Sequence, residues 1–527
     1  MVKRNRRRPA VKITGGGTGV VNHAGARLLA DLADQLGLTA ALSTAMAPTK
    51  QRRRGHDRGE VLVDVAVMLA DGGETISDVA VLRDQPDLFG EVASHPTVWR
   101  TLEAVDDDAL GRIKTARAQA RANAWAAGAD PGFYVIDIDA TLIGAHSDKE
   151  HAAPTYKRGF GFHPLLAYLD ATGEALAGLL RPGNAGSGTA ADHVTVLDDA
   201  LAQLPINPAG NDTEVIVRAD SAGWSHQFVK HCRARQVNFV IGHRLTVDIA
   251  KVLVNVPKRS WSPAISADGT DWRDHAEVVE ITDLVDNIFD TSRTWPPGLR
   301  MIARRELPHP GAQLTFTDVD GHRYQVFVTD LDDPDIAYLE ALYRGRGRAE
   351  RQICDSKTLG LTNLPSHSFA INQAWLNLVL CAHDLLSRTR LLTLADTKLA
   401  DAEPKRLRYC LFHTAARIST SSRQTTCQVA ATWPGHPTSS PRSTAFTGSG
   451  CAAEQHDRGP PATAAPTEPT NQHTPPKLTP RVQHQIRPPT NHPTTPRHSP
   501  THRPDHYRTT WANNLRRNAD PDSCTDP

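Results

Sequence analysis

The chain has 527 residues, 39% apolar and 6% aromatic, with a formal net charge of +1. That length gives two to four domains and an ample core, while the low aromatic share implies that part of the chain does not pack. No run of about 18 apolar residues could span a bilayer, no apolar signal segment opens the chain, and the seven cysteines show no CxxC or zinc spacing, so a cytoplasmic protein is expected and no membrane partner.

Lys3, Arg4, Arg6, Arg7 and Arg8 make residues 1–12 a basic arm, and Arg52, Arg53 and Arg54 form a second cluster. Both suit a nucleic-acid backbone. From Ala24 to about Leu102 the apolar spacing is helical, with one stripe through Leu28, Leu29, Leu32 and Leu36 and another through Val61, Val65, Ala66 and Leu69. Ser94-His95-Pro96-Thr97 then reads as a turn and helix start leading into Val98-Trp99-Arg100. A small bundle with a helix-turn-helix character fits residues 13–128, with Thr97 and Arg100 able to touch DNA. A helical domain that merely packs on the rest fits equally well.

From Gly132 the period changes. Phe133 to Asp139, Phe162 to Leu169 and Glu174 to Leu180 read as strands, the last two joined by the turn Asp170-Ala171-Thr172-Gly173. Residues 189–204 are helical, Glu214 to Asp220 is a buried strand, a helix follows around Trp224 to Arg235, and Val237 to His243 is another strand. Residues 129–244 are thus three strands, helix, strand, helix, strand. Residues 245–335 interrupt with a β-rich insertion, holding strands near Val278 to Ile281 and Tyr324 to Thr329. Within 336–417, one long helix is expected from about Pro334 to Thr358 and another from Ser368 to Thr389. Residues 418–527 turn to Thr, Pro, His, Ser and Gly, which predicts a disordered tail and resembles an out-of-frame translation.

Two features carry chemistry. Asp137 and Asp139 share one face of the first strand at its C-terminal end, and Asp220 ends the strand that starts at Glu214. If those strands are neighbours, Asp139 and Asp220 sit side by side, and a divalent cation relieves their repulsion. Asp137 competes with Asp139 as the first acid. Tyr343, Arg346, Glu350 and Lys357 fall within roughly 60° of one another on a helix, placing a phenol, two cations and a carboxylate on one stripe. Glu350 would complete an all-oxygen site for two Mg²⁺ about 4 Å apart, with Mn²⁺ able to substitute. Taken singly, each acid reads as a cap or turn residue. Gly15-Gly16-Gly17-Thr18-Gly19 follows no strand and lacks the lysine of a phosphate loop. Trp261, Trp272 and Trp295 could stack on a flipped base but more simply pack in a core. Tyr156, Lys157, Arg158, His163, Arg304 and Arg305 could meet a DNA backbone, and His383 reads as structural.

On these residues the chain resembles the DDE-type transposases of bacterial insertion sequences, in the group marked by Tyr-x2-Arg-x3-Glu-x6-Lys. That spacing is complete at Tyr343, Arg346, Glu350 and Lys357. Asp139-Ala140-Thr141 and Asp220-Ser221-Ala222-Gly223 match the two aspartate motifs. The resemblance spans about residues 15–415. It implies an α/β fold with a ribonuclease-H-like core broken by the β-rich insertion. It also implies cut-and-paste transposition, with Asp139, Asp220 and Glu350 as catalytic and metal-binding acids. Tyr343, Arg346 and Lys357 would then hold phosphates, and a hairpin at the element end would be the intermediate. The implied partners are terminal inverted repeats, target DNA and a second copy of the chain in a homodimer near the nucleoid. A decayed transposase that only binds DNA is the alternative. A two-carboxylate glycosidase fits less well, since a basic arm has no use in sugar chemistry.

Overall fold

The computed structural model describes residues 14–50, 55–145, 148–186, 190–208, 213–266, 271–285, 295–308, 311, 318–421 and 424–429. The basic arm through residue 13, Arg52, Arg53 and Arg54, and everything after 429 lie outside the described residues.

The N-terminal part is helical, as its periodicity requires: α1 (Arg27–Gln35), α2 (Leu38–Met46), α3 (Arg58–Asp71), α4 (His95–Glu103) and α5 (Asp107–Ala124). The Asp57 carboxylate accepts from the Gly59 and Glu60 amides to start α3, and Gly72 ends it at φ 112°. Eleven of the 14 residues of α3 are buried, so it is a central helix rather than an amphipathic one.

The α/β part opens with β1 (Tyr134–Ala140), β2 (Leu165–Leu169) and β3 (Ala175–Leu179). Then come α6 (Ala190–Leu201), β4 (Val215–Ala219), α7 (His226–Ala234) and β5 (Asn238–His243). β1 pairs antiparallel with β2, and β2 with β3, while β1, β4 and β5 run parallel. This three-antiparallel, two-parallel arrangement is the expected ribonuclease-H-like core. The predicted turn at 170–173 is present, with Gly173 at φ 66°.

Residues 245–335 hold α8 (Val247–Asn255), β6 (Ser262–Ile265), β7 (Trp272–Glu280), β8 (Arg300–Glu306) and β9 (His322–Thr329). These strands continue the core sheet, because β9 pairs antiparallel with β5. The result is a 10-stranded sheet in the order β6-β7-β8-β9-β5-β4-β1-β2-β3, with Asp318–Val319 pairing onto β9.

The long helix expected from Pro334 to Thr358 is broken. It forms α9 (Ile336–Arg344), a 3-10 turn (Gly345–Gly347) and α10 (Arg348–Ser356). Gly345 and Gly347 weaken the helix here, and a side chain at Gly345 would strike the Arg218 guanidinium. Next comes α11 (Phe369–Arg388), a 20-residue helix packed on α3 and β3.

One contiguous hydrophobic core joins the N-terminal helices, the inner sheet face and α11. A fully buried ionic cluster crosses it. Arg117 and Arg121 of α5 donate to Asp384 of α11 at 2.9 and 3.1 Å, and Arg121 and Arg388 donate to Glu174 at 3.2 and 2.9 Å. The helical and α/β parts are therefore packed as one body around shared charges.

The disorder expected from 418 does not hold for the described residues there. Ala416–Ser421 and Gln424–Val429 form an antiparallel hairpin, and its first strand pairs with Val20–Val21. Ile418, Thr420, Thr425, Thr426 and Val429 supply β-branched side chains that favour this pairing, and the threonine bias conceals it in composition.

Candidate active site

In the parallel pair β1–β4, Asp137 is level with Arg218 and Ile138 with Ala219. One step on, Asp139 is level with Asp220, the first residue past β4. Alternation puts Asp137, Asp139, Arg218 and Asp220 on one face of the sheet. That face is covered by α9, whose Leu342 carbonyl accepts from Arg218 Nη1 at 2.8 Å.

The two aspartates of β1 have different surroundings. Asp137 is 1% exposed and accepts two bonds from Arg218, at 2.7 and 2.6 Å. Arg218 also pairs with Asp170 at 2.9 Å, and Arg348 of α10 holds Asp170 from its other side. Burial alone would raise the Asp170 carboxyl, but Arg218 and Arg348 hold it at about 2. Burial works against the Arg218 charge, yet Asp137 and Asp170 together raise its pKa. This closed chain of charges forms a floor under the site. Neither Asp170 nor Arg348 is an obvious site residue in the sequence, since one reads as a turn acid and the other as a helix surface cation.

Asp139 stands at the open end of β1. Its Oδ1 accepts from the Ala140 amide at 2.8 Å, and its Oδ2 accepts from Arg346 Nη1 at 2.9 Å. Burial raises the Asp139 carboxyl above its ordinary range, Arg346 pulls it back, and Asp220 and Glu350 push it up again by repulsion. Asp220 Oδ1 accepts from the Ala222 amide at 2.9 Å, and the Gly223 amide donates to the Asp220 carbonyl at 3.1 Å, fixing the turn after β4.

Tyr343 closes α9 and lies over β5. A Cβ at Gly242 would be 2.5 Å from the Tyr343 hydroxyl and 2.9 Å from the Ser221 amide, so only glycine lets the phenol reach the Asp220 turn. Burial raises the Tyr343 phenol, Arg346 lowers it and Asp220 raises it. A glycine inside an apolar strand was the sequence signal for this approach. Glu350 is exposed in the first turn of α10. Lys357 opens the turn after α10, and Arg100 is exposed in the last turn of α4; neither is joined to these acids by a hydrogen bond or ion pair among the described residues.

The expected meeting of three carboxylates is thus partial. Asp139 faces Asp220 across adjacent strands and feels Glu350 electrostatically, but the three do not form a cluster with all ligand atoms within 4.8 Å among the described residues. Bare carboxylates repel, and Arg346 supplies the positive charge at Asp139. The donors fit a hard divalent cation: all are carboxylate oxygens, and burial, with repulsion from Asp220 and Glu350, raises the proton affinity of Asp139. A metal ion would compete with Arg346 for the same oxygen.

Trp295 stacks on Trp224 with centroids 4.6 Å apart and planes at 6°, beyond the Asp220 turn. Trp261 is buried under Arg305, whose guanidinium carbon is 4.1 Å from the ring, while Trp272 is 66% exposed. Arg304 pairs with Glu340 and Arg305 with Glu277. Tyr156 is exposed, and His163 is buried beside it. His383 is buried and structural, its Nε2 donating to the Gly173 carbonyl at 2.8 Å.

A family model described as "Transposase DDE domain group 1" matches residues 3–440, so the chain belongs to that family. It is a DDE transposase, an enzyme that cleaves and rejoins DNA strands, in a family that works with divalent metal ions. No curated protein matches the chain. Among solved structures it is similar to the cryo-EM structure of a piggyBac transposase synaptic complex with hairpin DNA. The identity is 10% and the TM-score 0.37, over 73% of this chain and 80% of that chain. Among the described residues no helix is long and apolar enough to cross a membrane.

Proposed function

We propose that Asp139, Asp220 and Glu350 are the catalytic acids of this transposase and hold two Mg²⁺ ions, with Mn²⁺ able to substitute. The observation that carries this reading is the level placement of Asp139 and Asp220 on parallel strands, with a cation of the Tyr-Arg-Glu-Lys signature bonded to Asp139. Bound divalent ions supply Lewis-acid activation of the attacking water or 3′-hydroxyl and neutralise the leaving oxygen. Asp137 is left out of the site because both of its oxygens are taken by Arg218.

Arg346 has two positions in this reading. It neutralises Asp139 when no cation is bound, and it turns to a DNA phosphate when one is. Tyr343 and Lys357 hold phosphates beside it, and Arg52, Arg53, Arg54 and Arg100 contact DNA outside the cleaved bond. Residues 13–128 present DNA to the core formed by 129–244 and 336–417, and 245–335 flank it. The substrate is the terminal inverted repeats of an insertion sequence, cut through a hairpin intermediate by a homodimer near the nucleoid.

The test is Mg²⁺-dependent nicking of a duplex bearing the inverted repeats that flank the gene. Nicking that disappears in Asp220→Ala and Glu350→Ala, with DNA binding retained, supports the assignment. Nicking that persists in either folded variant removes that residue from the site.

A further inference from the structure

A second cluster of ligand-type side chains lies at the C-terminal end of α3. His23 precedes a 3-10 turn near the N-terminus, Asp71 is the last residue of α3, and His413 follows the turn Arg408–Phe412. His23 Nδ1 is 2.5 Å from Asp71 Oδ2, and His413 Nε2 is 3.4 Å from Asp71 Oδ1. One ligand atom from each of the three lies within 4.8 Å of the other two.

Asp71 is 4% exposed, and its Oδ1 has no hydrogen-bond partner. A buried carboxylate oxygen without a hydrogen bond is costly, and the His413 ring at 3.4 Å is its near polar neighbour. The segments around it are firmly built. The Ala24 amide donates to the Thr414 carbonyl at 3.0 Å, Val21 pairs with Ala416, and a side chain at Gly25 would strike the Leu411 carbonyl. A cavity of about 350 Å³, lined by His23, Asp71, Glu74, Asp78 and His413, opens on the cluster. It has room for a water molecule.

We propose that His23 Nδ1, Asp71 and His413 Nε2 bind one Zn²⁺-type cation, with water as the fourth ligand. Two imidazoles and one carboxylate are a donor set for zinc or a similar transition metal, whereas magnesium takes oxygen ligands. Binding exchanges the 2.7 Å bond from His413 Nε2–H to the Asp71 carbonyl for a metal bond, so His413 carries its proton on Nδ1. Around a tetrahedral ion with bonds near 2.1 Å the ligand atoms stand about 3.4 Å apart, the spacing His413 and Asp71 already have, so the 2.5 Å His23–Asp71 contact must widen. The ion would fasten the chain's N-terminal segment and C-terminal hairpin to α3. It is separate from the carboxylate site, and its test does not depend on catalysis.

The experiment uses the untagged full chain, stripped by chelator, saturated with Mg²⁺, and titrated with Co²⁺ as a spectroscopic stand-in for Zn²⁺. The wild type should show a tetrahedral ligand-field band with nitrogen ligation, displaced by Zn²⁺, and a melting temperature that rises with Zn²⁺. The chain has 24 histidines, so the decision rests on variants rather than on stoichiometry. His23→Gln and His413→Gln should each lose Zn²⁺ affinity by at least about 100-fold, more than the loss of an outer-shell partner causes. Asp139→Ala should keep the band. Metal-free melting of the two glutamine variants checks that they fold. Variants that retain the band overturn the proposal. So does a wild type whose melting falls with acid identically with and without Zn²⁺, which would make the cluster a hydrogen-bonded clasp only.

Discussion

Asp137 and Asp139 are two residues apart on one strand, and replacing each with asparagine separates a structural acid from the one proposed as catalytic. Asp137 is 1% exposed and gives both oxygens to Arg218. Removing one member of a buried pair costs about 3–5 kcal/mol. Arg218 keeps Asp170 at 2.9 Å, so the lower end applies, about 3 kcal/mol. Asp139 differs: its side chain is 14% exposed, its Arg346 partner 20%, and Asp220 and Glu350 oppose its charge. Asp139→Asn loses the Arg346 pair but also relieves that repulsion, so it should cost less stability than Asp137→Asn. Its cleavage rate should nevertheless fall at least about 100-fold, because a metal ligand worth several kcal/mol to the transition state is lost. Thermal or urea unfolding gives the first comparison, and single-turnover cleavage normalised to folded protein gives the second. The reasoning is refuted if Asp139→Asn unfolds the protein while folded Asp137→Asn loses cleavage.

Three further outcomes follow from the same geometry. Gly242→Ala should cost about 1–3 kcal/mol by overpacking against Tyr343 and Ser221, and slow cleavage more than tenfold. Adding Tyr343→Phe should return part of the stability, and melting curves of the single and double variants would reveal it. Burial, with repulsion from Glu60 and Asp34, raises the Asp64 carboxyl from 3.8 to about 7. The folded state then holds a proton that the unfolded chain releases, so stability falls as pH rises from about 4 to 7, by at most about 4 kcal/mol, and is level above 7. Asp64→Asn should remove that contribution, read as the difference from wild type in unfolding measured across the range. At the active site the raised Asp139 carboxyl makes metal binding compete with a proton, so Mg²⁺ affinity should weaken as the medium is acidified. Asp139→Asn would flatten this dependence in a calorimetric titration.

Legibility in the sequence followed locality. The β-branched runs around Ile136, Val217 and Ile241 predict their strands directly, and the acids at the ends of the first two stand out because a carboxylate is costly beside an apolar strand. The break at Gly345 and Gly347 was also written in the sequence, but a complete four-residue signature on a helical stripe masked two glycines. Composition concealed the hairpin at 416–429, since threonines that look like low complexity are also good strand formers. The cluster of Arg117, Arg121, Glu174, Asp384 and Arg388 could not be read at all. On α5 the arginines have the spacing of a solvated face, and only the tertiary fold brings Glu174 and Asp384 against them. The same holds for His23, Asp71 and His413, which only the chain's closure brings together.

The most direct test of the central assignment is a crystal of the full chain with terminal-repeat DNA and Mn²⁺, measured at the manganese edge. Anomalous peaks within coordination distance of Asp139, Asp220 and Glu350, with Arg346 turned from Asp139 to a phosphate, are the predicted result. Manganese bound away from these acids, or Arg346 still on Asp139 beside cleaved DNA, would contradict it.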